Sequence, residues 1–149
     1  MFETIISLVA LAVSVVTFWR TELKDRKNST LEAYNRLQEQ ALDKLNGYTK
    51  EQINEIIRNR HSEEYMQLSA YVARIEHFAV GVNQKVYTPK IVYELAEGYL
   101  DGAIKKKIEP IISRKNYSNR DYYENIHTLY AWMEREKKKE DTKRAKKRK

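Results

Sequence analysis

The chain has 149 residues with no cysteine, two prolines and four glycines. That composition excludes disulfides and thiolate metal sites, and it leaves too few turn-formers for a many-stranded sandwich or barrel. The net charge of +7 resides wholly in the last fifteen residues, where ten Lys or Arg face three acids, so it describes a tail and not a folded basic surface.

The mean hydropathy of −0.76 averages one very apolar segment with a very polar remainder. The apolar segment comes first. Thr4 to Trp19 is sixteen residues without a charge, nine of them Ile, Leu, Val or Phe. With Phe2 counted it reaches about eighteen residues, or ~27 Å of helix, within the range that spans a bilayer. A secretory signal begins with basic residues, whereas this chain begins Met1-Phe2-Glu3. Ala10-Leu11-Ala12 has the form of a cleavage site, but apolar sequence continues well past it. The pattern predicts an uncleaved, single-pass transmembrane helix, with residues 1–27 as anchor and juxtamembrane segment.

Orientation follows from the flanks. Glu3 alone precedes the span, and Arg20, Lys24, Arg26 and Lys27 follow it. The positive-inside bias places the N-terminus outside a cell membrane and the rest in the cytoplasm. The same cations can lie on anionic lipid headgroups. Ser7, Ala10, Ser14 and Thr17 form one helical stripe of small or hydroxylated residues. Such a stripe lets two membrane helices approach closely and predicts a homo-oligomer; alternatively, the hydroxyls bond back to their own helix.

Residues 28–134 read as a cytoplasmic helical domain. Ser29-Thr30-Leu31-Glu32 is a capping box that predicts a helix start, with Leu31, Tyr34, Gln38, Ala41 and Leu45 inward and Gly47 as its C-cap. Thr49-Lys50-Glu51-Gln52 opens a short helix carrying Ile53, Ile56 and Ile57. A start near Ser62 leads to the best-patterned helix, with Tyr65, Leu68, Val72, Ile75, Ala79 and Val82 on one face. Thr88-Pro89 starts a helix with Val92, Leu95, Ala96, Tyr99, Ala103 and Ile104 inward, which Pro110 kinks or ends. Gly98 and Gly102 within it predict close packing. After a polar loop over residues 113–119, Asn119 caps a last helix with Tyr122, Tyr123, Ile126, Leu129, Tyr130 and Met133 inward. The fold class is all-α: an N-terminal transmembrane helix followed by a small antiparallel bundle.

The tail, 135–149, reads as frayed helix or disordered chain. Lys137, Lys138, Lys139, Lys146 and Lys147 lie in two cation clusters without an apolar face, which predicts a coulombic contact with anionic lipid; RNA is the second choice. The eleven tyrosines are expected mostly as core residues with hydroxyls at the rim, and a base-stacking platform is the sharper alternative.

Little else carries chemistry. The three histidines, His61, His77 and His127, have no metal-ligand spacing, and no nucleotide loop or nucleophile elbow exists. No cofactor, metal or catalytic residue is therefore expected. Arg120-Asp121-Tyr122-Tyr123-Glu124-Asn125-Ile126-His127 places an arginine and a histidine two helical turns apart. The spacing resembles the R-x(4–6)-H motif of the HEPN family of helical ribonucleases, which implies general acid-base work by His127 beside the Arg120 cation. The alternative is Arg120 in solvent and His127 on the bundle rim.

A wider resemblance rests on Tyr71 to Asn83, Val86-Tyr87, Tyr99-Leu100, Lys107 to Ile112 and Tyr122 to Asn125. These segments resemble an uncharacterised bacterial and phage family of short single-pass membrane proteins with a helical domain of unknown function. The resemblance implies a bacterial membrane and no activity. The reading is a membrane-tethered helical interaction or regulatory module, non-enzymatic, with an unidentified protein partner and an accessory role in phage defence as one setting for it. The alternatives are a tethered ribonuclease and an effector whose span oligomerises to perturb the membrane.

Overall fold

The computed structural model describes residues 2–113 and 122–147, with the side chains of residues 2–6 and 8 outside that description. Every regular element among the described residues is helical. The first, α1, runs unbroken over Phe2–Leu37. The expected new start at Ser29 is not there: Ser29 is an exposed mid-helix residue. A cap acts only where a helix must begin, and the good helix formers from Arg20 to Lys27 leave no reason for one to end.

A π-helical stretch, Gln38–Leu42, extends α1, with the Asp43 N–H bonded five residues back to the Gln38 carbonyl. The short α2, Asp43–Asn46, follows and ends at Gly47 as expected, though with right-handed φ of −66°. The inward face differs from the expected one. Tyr34, Leu37, Ala41, Leu42 and Leu45 are buried, while Leu31, expected inside, is 40% exposed. Thr30 and Leu37 take the buried places expected for Leu31 and Gln38, so the stripe before the π turn lies one residue off the expected face.

Helix α3, Lys50–Arg58, has the full capping box: Gln52 N–H donates to Thr49 Oγ1 at 3.2 Å and Thr49 N–H to Gln52 Oε1 at 2.8 Å. Helix α4, Glu63–Asn83, starts with the Tyr65 N–H on Ser62 Oγ at 3.1 Å and buries Leu68, Val72, Ile75, Phe78, Ala79 and Val82. It lies antiparallel to α1, since Arg74 bonds Gln40, Phe78 meets Tyr34, and Lys85 beyond its end is bonded by Arg26.

The helix expected from Thr88 to Pro110 is divided. Helix α5, Pro89–Ala96, ends at Glu97, and Gly98 takes φ +83°. A second π-helical stretch, Tyr99–Ile104, then leads into α6, Lys105–Ile112. The close packing expected at Gly98 and Gly102 is not found, because a Cβ on either would meet nothing within 4 Å. Gly98 serves the left-handed turn instead, which an L side chain resists. Pro110 sits inside the last turn of α6, and the helix ends at Ser113.

Helix α7, Glu124–Lys147, begins after a turn at Tyr122 and Tyr123; the expected cap, Asn119, lies outside the described residues. The segment read as frayed or disordered is helix as far as Lys147, exposed along most of its length. It prolongs a helix already nucleated by core packing, and its Lys, Arg, Glu and Ala propagate helix well. At the bundle surface, Lys105 pairs with Glu134 at 2.5 Å and lies over the Tyr130 ring, 5.1 Å from its centroid. The Lys105 hydrogen bond, followed by its charge, holds the Glu134 carboxyl below its ordinary range. Burial pushes the Tyr130 phenol upward, with Asp101 and Glu109 adding to it, so this hydroxyl stays protonated.

One buried device positions α5. Thr30, fully buried, donates from Oγ1 to the Arg26 carbonyl at 2.7 Å and accepts the Thr88 N–H at 2.8 Å. A second positions the α4–α5 turn: a Cβ on Gly81 would overlap the Tyr87 ring, which stacks on Phe78 at 5.2 Å and 20°. Gly81→Ala should therefore destabilise the bundle by ~1–3 kcal/mol despite alanine's better helix propensity. Gly102→Ala, with open space around it, should stabilise by up to ~1 kcal/mol. Urea unfolding of the full chain in detergent, followed by circular dichroism, reads both; equal effects of the same sign would refute the packing argument.

Candidate functional site

Three places hold side chains that can act on something outside the bundle. The first is the free half of α1. From Val9 to Asp25 every side chain is exposed, with Leu11 at 65%, Phe18 at 66% and Trp19 at 63%. Among the described residues no helix is long and apolar enough to cross a membrane. The described run from Val9 to Trp19 covers eleven residues, ~16 Å of helix, about half a hydrocarbon core. The remainder of the expected span, Thr4 to Leu8, includes four of the six residues whose side chains lie outside that description. On the stripe, Ser7 and Ala10 are exposed, Ser14 Oγ donates to the Ala10 carbonyl at 2.8 Å, and Thr17 Oγ1 donates to the Val13 carbonyl at 2.8 Å. Arg20, Lys24 and Lys27 are exposed, whereas Arg26 is bound to the Lys85 carbonyl. In the tail, Lys137, Lys138, Lys146 and Lys147 are exposed, and Lys139 pairs with Glu136 at 2.7 Å.

The second place is the start of α7, which contains His127. Its Nε2 lies 2.9 Å from the Ile112 carbonyl oxygen, so the ring ties α7 to the end of α6. Arg120 lies outside the described residues. Tyr122 and Tyr123 form a turn, so the two-turn helical register expected between Arg120 and His127 does not run through them. Glu76 of α4 binds the same helix start. Its Oε1 accepts from Asn125 N–H at 3.1 Å and Asn125 Nδ2 at 2.8 Å, and its Oε2 accepts from Ile126 N–H at 2.9 Å. Asn83 Nδ2 donates to the Asn125 carbonyl at 3.1 Å and Oδ1 at 3.2 Å. A carboxylate at the positive end of a helix satisfies orphan donors from a neighbouring element, in place of a local cap. No local sequence signal marks Glu76, because its partners lie about fifty residues away.

The third place, also missed from the sequence, is a groove between α1 and α4. It is lined by Ala33, Arg36, Leu37, Gln40, Ala73, Arg74, His77, Phe78 and Tyr87 around a cavity of about 350 Å3. Arg36 and Gln40 come from α1 and its π turn, and Arg74 and His77 from facing turns of α4. Arg74 Nη1 donates to Gln40 Oε1 at 2.9 Å, which holds the guanidinium across the groove. Arg36 pairs with Glu32 at 2.7 Å in solvent, an exposed pair that opens easily. Tyr34, which packs edge-on against Phe78, is pushed up to about 12 by burial, then by Tyr99 and Asp43, so its phenol stays uncharged.

Among the described residues no group of three or more His, Asp or Glu is placed to hold a metal. Of the tyrosines, Tyr122 is 56% exposed and rests against Tyr123 with centroids 6.5 Å apart, while Tyr34, Tyr93 and Tyr130 are core residues. Fold and site together define a small all-α domain carrying a helical extension at each end. Residues 4–133 match the domain of unknown function DUF4760, and the chain belongs to that family. The match includes the apolar start of α1 and stops where the core-facing part of α7 ends. No curated protein and no solved structure matches the chain.

The Glu76 contact predicts a graded loss. Glu76→Ala leaves two buried-edge N–H groups unpaired and should cost ~1–3 kcal/mol, whereas Glu76→Gln keeps one acceptor and should cost less. Urea midpoints of the two variants check this, and a Gln variant as damaging as Ala would show that charge, not capping, is the main contribution.

Proposed function

We propose that this chain is a membrane-tethered helical interaction module, non-enzymatic, with α1 as its anchor and the bundle on the cytoplasmic side. The observation that carries the reading is the free half of α1. Its large apolar side chains from Val9 to Trp19 are 48–66% exposed around the helix, and nothing in the described fold covers them. A helix apolar on all sides belongs in a core or in a bilayer. An uncovered apolar surface of that extent on a chain in water is an aggregation site.

Support for the orientation comes from Arg20, Lys24 and Lys27, exposed immediately after the aromatic pair Phe18 and Trp19. In this reading the bundle presents its partner site in the cytoplasm, and the basic α7 extension adds a coulombic contact. The full chain should stay in the membrane pellet after carbonate extraction, and a reporter fused after Lys149 should be active only in its cytoplasmic form. Leu11→Lys with Val15→Lys, each adding roughly 3 kcal/mol to insertion, should release the chain. Release of the unaltered chain by carbonate would end the anchor reading.

Pairing of two anchors through Ser7, Ala10, Ser14 and Thr17 is part of the same proposal. The hydroxyls of Ser14 and Thr17 already bond their own helix, so the stripe presents small, internally satisfied groups suited to close approach. Ala10→Leu with Ser14→Leu should reduce cross-linking of the chain in membranes. Unchanged cross-linking would place any self-contact in the bundle instead.

A further inference from the structure

The α1–α4 groove is built differently from the rest of the surface. Two guanidinium groups and an imidazole, from Arg36, Arg74 and His77, line it without a carboxylate, and the Glu32 carboxylate that pairs with Arg36 lies outside the lining. Such a wall attracts anions, and guanidinium pairs suit phosphate because they can each donate two parallel bonds. Ala33, Leu37, Ala73, Phe78 and Tyr87 supply the apolar lining between these cations. Tyr87 lies on α4 only because Gly81 has no side chain, and its ring is stacked on Phe78. A glycine inside a helix costs stability that alanine would not. Here it allows an aromatic wall to stand beside a cationic one.

We infer that this groove is a binding site for a small phosphorylated molecule with a planar apolar part, a mononucleotide in chemical class. The phosphoryl group sits between Arg36 and Arg74 with His77 beside it, and the planar part lies against Tyr87, Ala33 and Ala73. The cavity of about 350 Å3 suits a ligand of that size and lies at the lower end of small-molecule pockets. A lipid headgroup does not fit the position. Arg36 is sixteen residues beyond Arg20 on one continuous helix, ~24 Å from the aromatic end of the apolar segment. An acidic peptide would need an extended channel, whereas this cavity is bounded by two helices and the α4–α5 turn. The inference goes beyond the anchor reading, and only its exclusion of a lipid headgroup rests on that reading.

The test uses the full chain in detergent micelles with adenosine monophosphate, adenosine and inorganic phosphate as probes, by calorimetry. Adenosine monophosphate should bind saturably, and the two fragments should each bind more weakly. Arg36→Gln and Arg74→Gln should each weaken it about tenfold, as expected for a lost charge-assisted bond. Arg60→Gln, in the turn between α3 and α4, should leave it unchanged. Because Arg74 also braces Gln40, the exposed Arg36 variant keeps the test valid if Arg74→Gln unfolds. Absence of saturable binding at millimolar nucleotide overturns the inference, as does binding indifferent to Arg36→Gln. Tighter binding of an Asp/Glu-rich peptide, lost in the same variants, would overturn it in favour of a peptide site.

Discussion

The constraint on which the rest depends is that α1 does not break. One helix carries an exposed apolar half and a core-forming half, with the polar segment from Arg20 to Ser29 between them. Because an α-helix is stiff over this length, the bundle is held at a fixed distance from the apolar half. Thr30 marks the point where the helix enters the core. Its hydroxyl bonds back to Arg26 and accepts the Thr88 amide, so the same residue fixes the height of α5 beside α1. A hydroxyl that usually caps or bends helices here joins two of them.

The two π-helical stretches do related work. Each inserts an extra residue and turns the following segment about its axis, so that Leu42 and Leu45, or Ile104 and Ile108, reach the core. They also face one another in the fold, since the Tyr99 hydroxyl reaches the Leu42 carbonyl and Asp43 Oδ1 at 3.4 and 3.3 Å. Such bulges often accompany functional surfaces. Gln40, inside the first of them, is the residue that braces Arg74.

Opposite this edge, α7 owes its start to another helix. Its first amides are satisfied by Glu76, and the His127 ring joins it to α6. Once held there, a helix of Glu, Lys and Arg can run well past the last core residue, Met133, with weak exposed pairs along it. Its charge is thus presented on a helix as far as Lys147, where composition alone leaves frayed helix and disorder both open.

Some of this was legible from residue order. Helix content, the starts at Thr49, Ser62 and Thr88, the face of α4 and the neutrality of the domain outside its tail follow from capping chemistry, periodicity and counting. Those signals act within a few residues, so sequence displays them directly. Sequence also fixes the uncharged run from Thr4 to Trp19. Tertiary structure decided the rest. It carried α1 past the Ser29 capping box, put Leu31 outside and Leu37 inside, and turned Gly98 from a packing residue into a left-handed turn. It also brought Arg36 and Arg74 across one groove and Glu76 to the start of α7. Each of these depends on contacts between residues tens of positions apart, where the energy of a buried surface or a satisfied amide overrides a local preference.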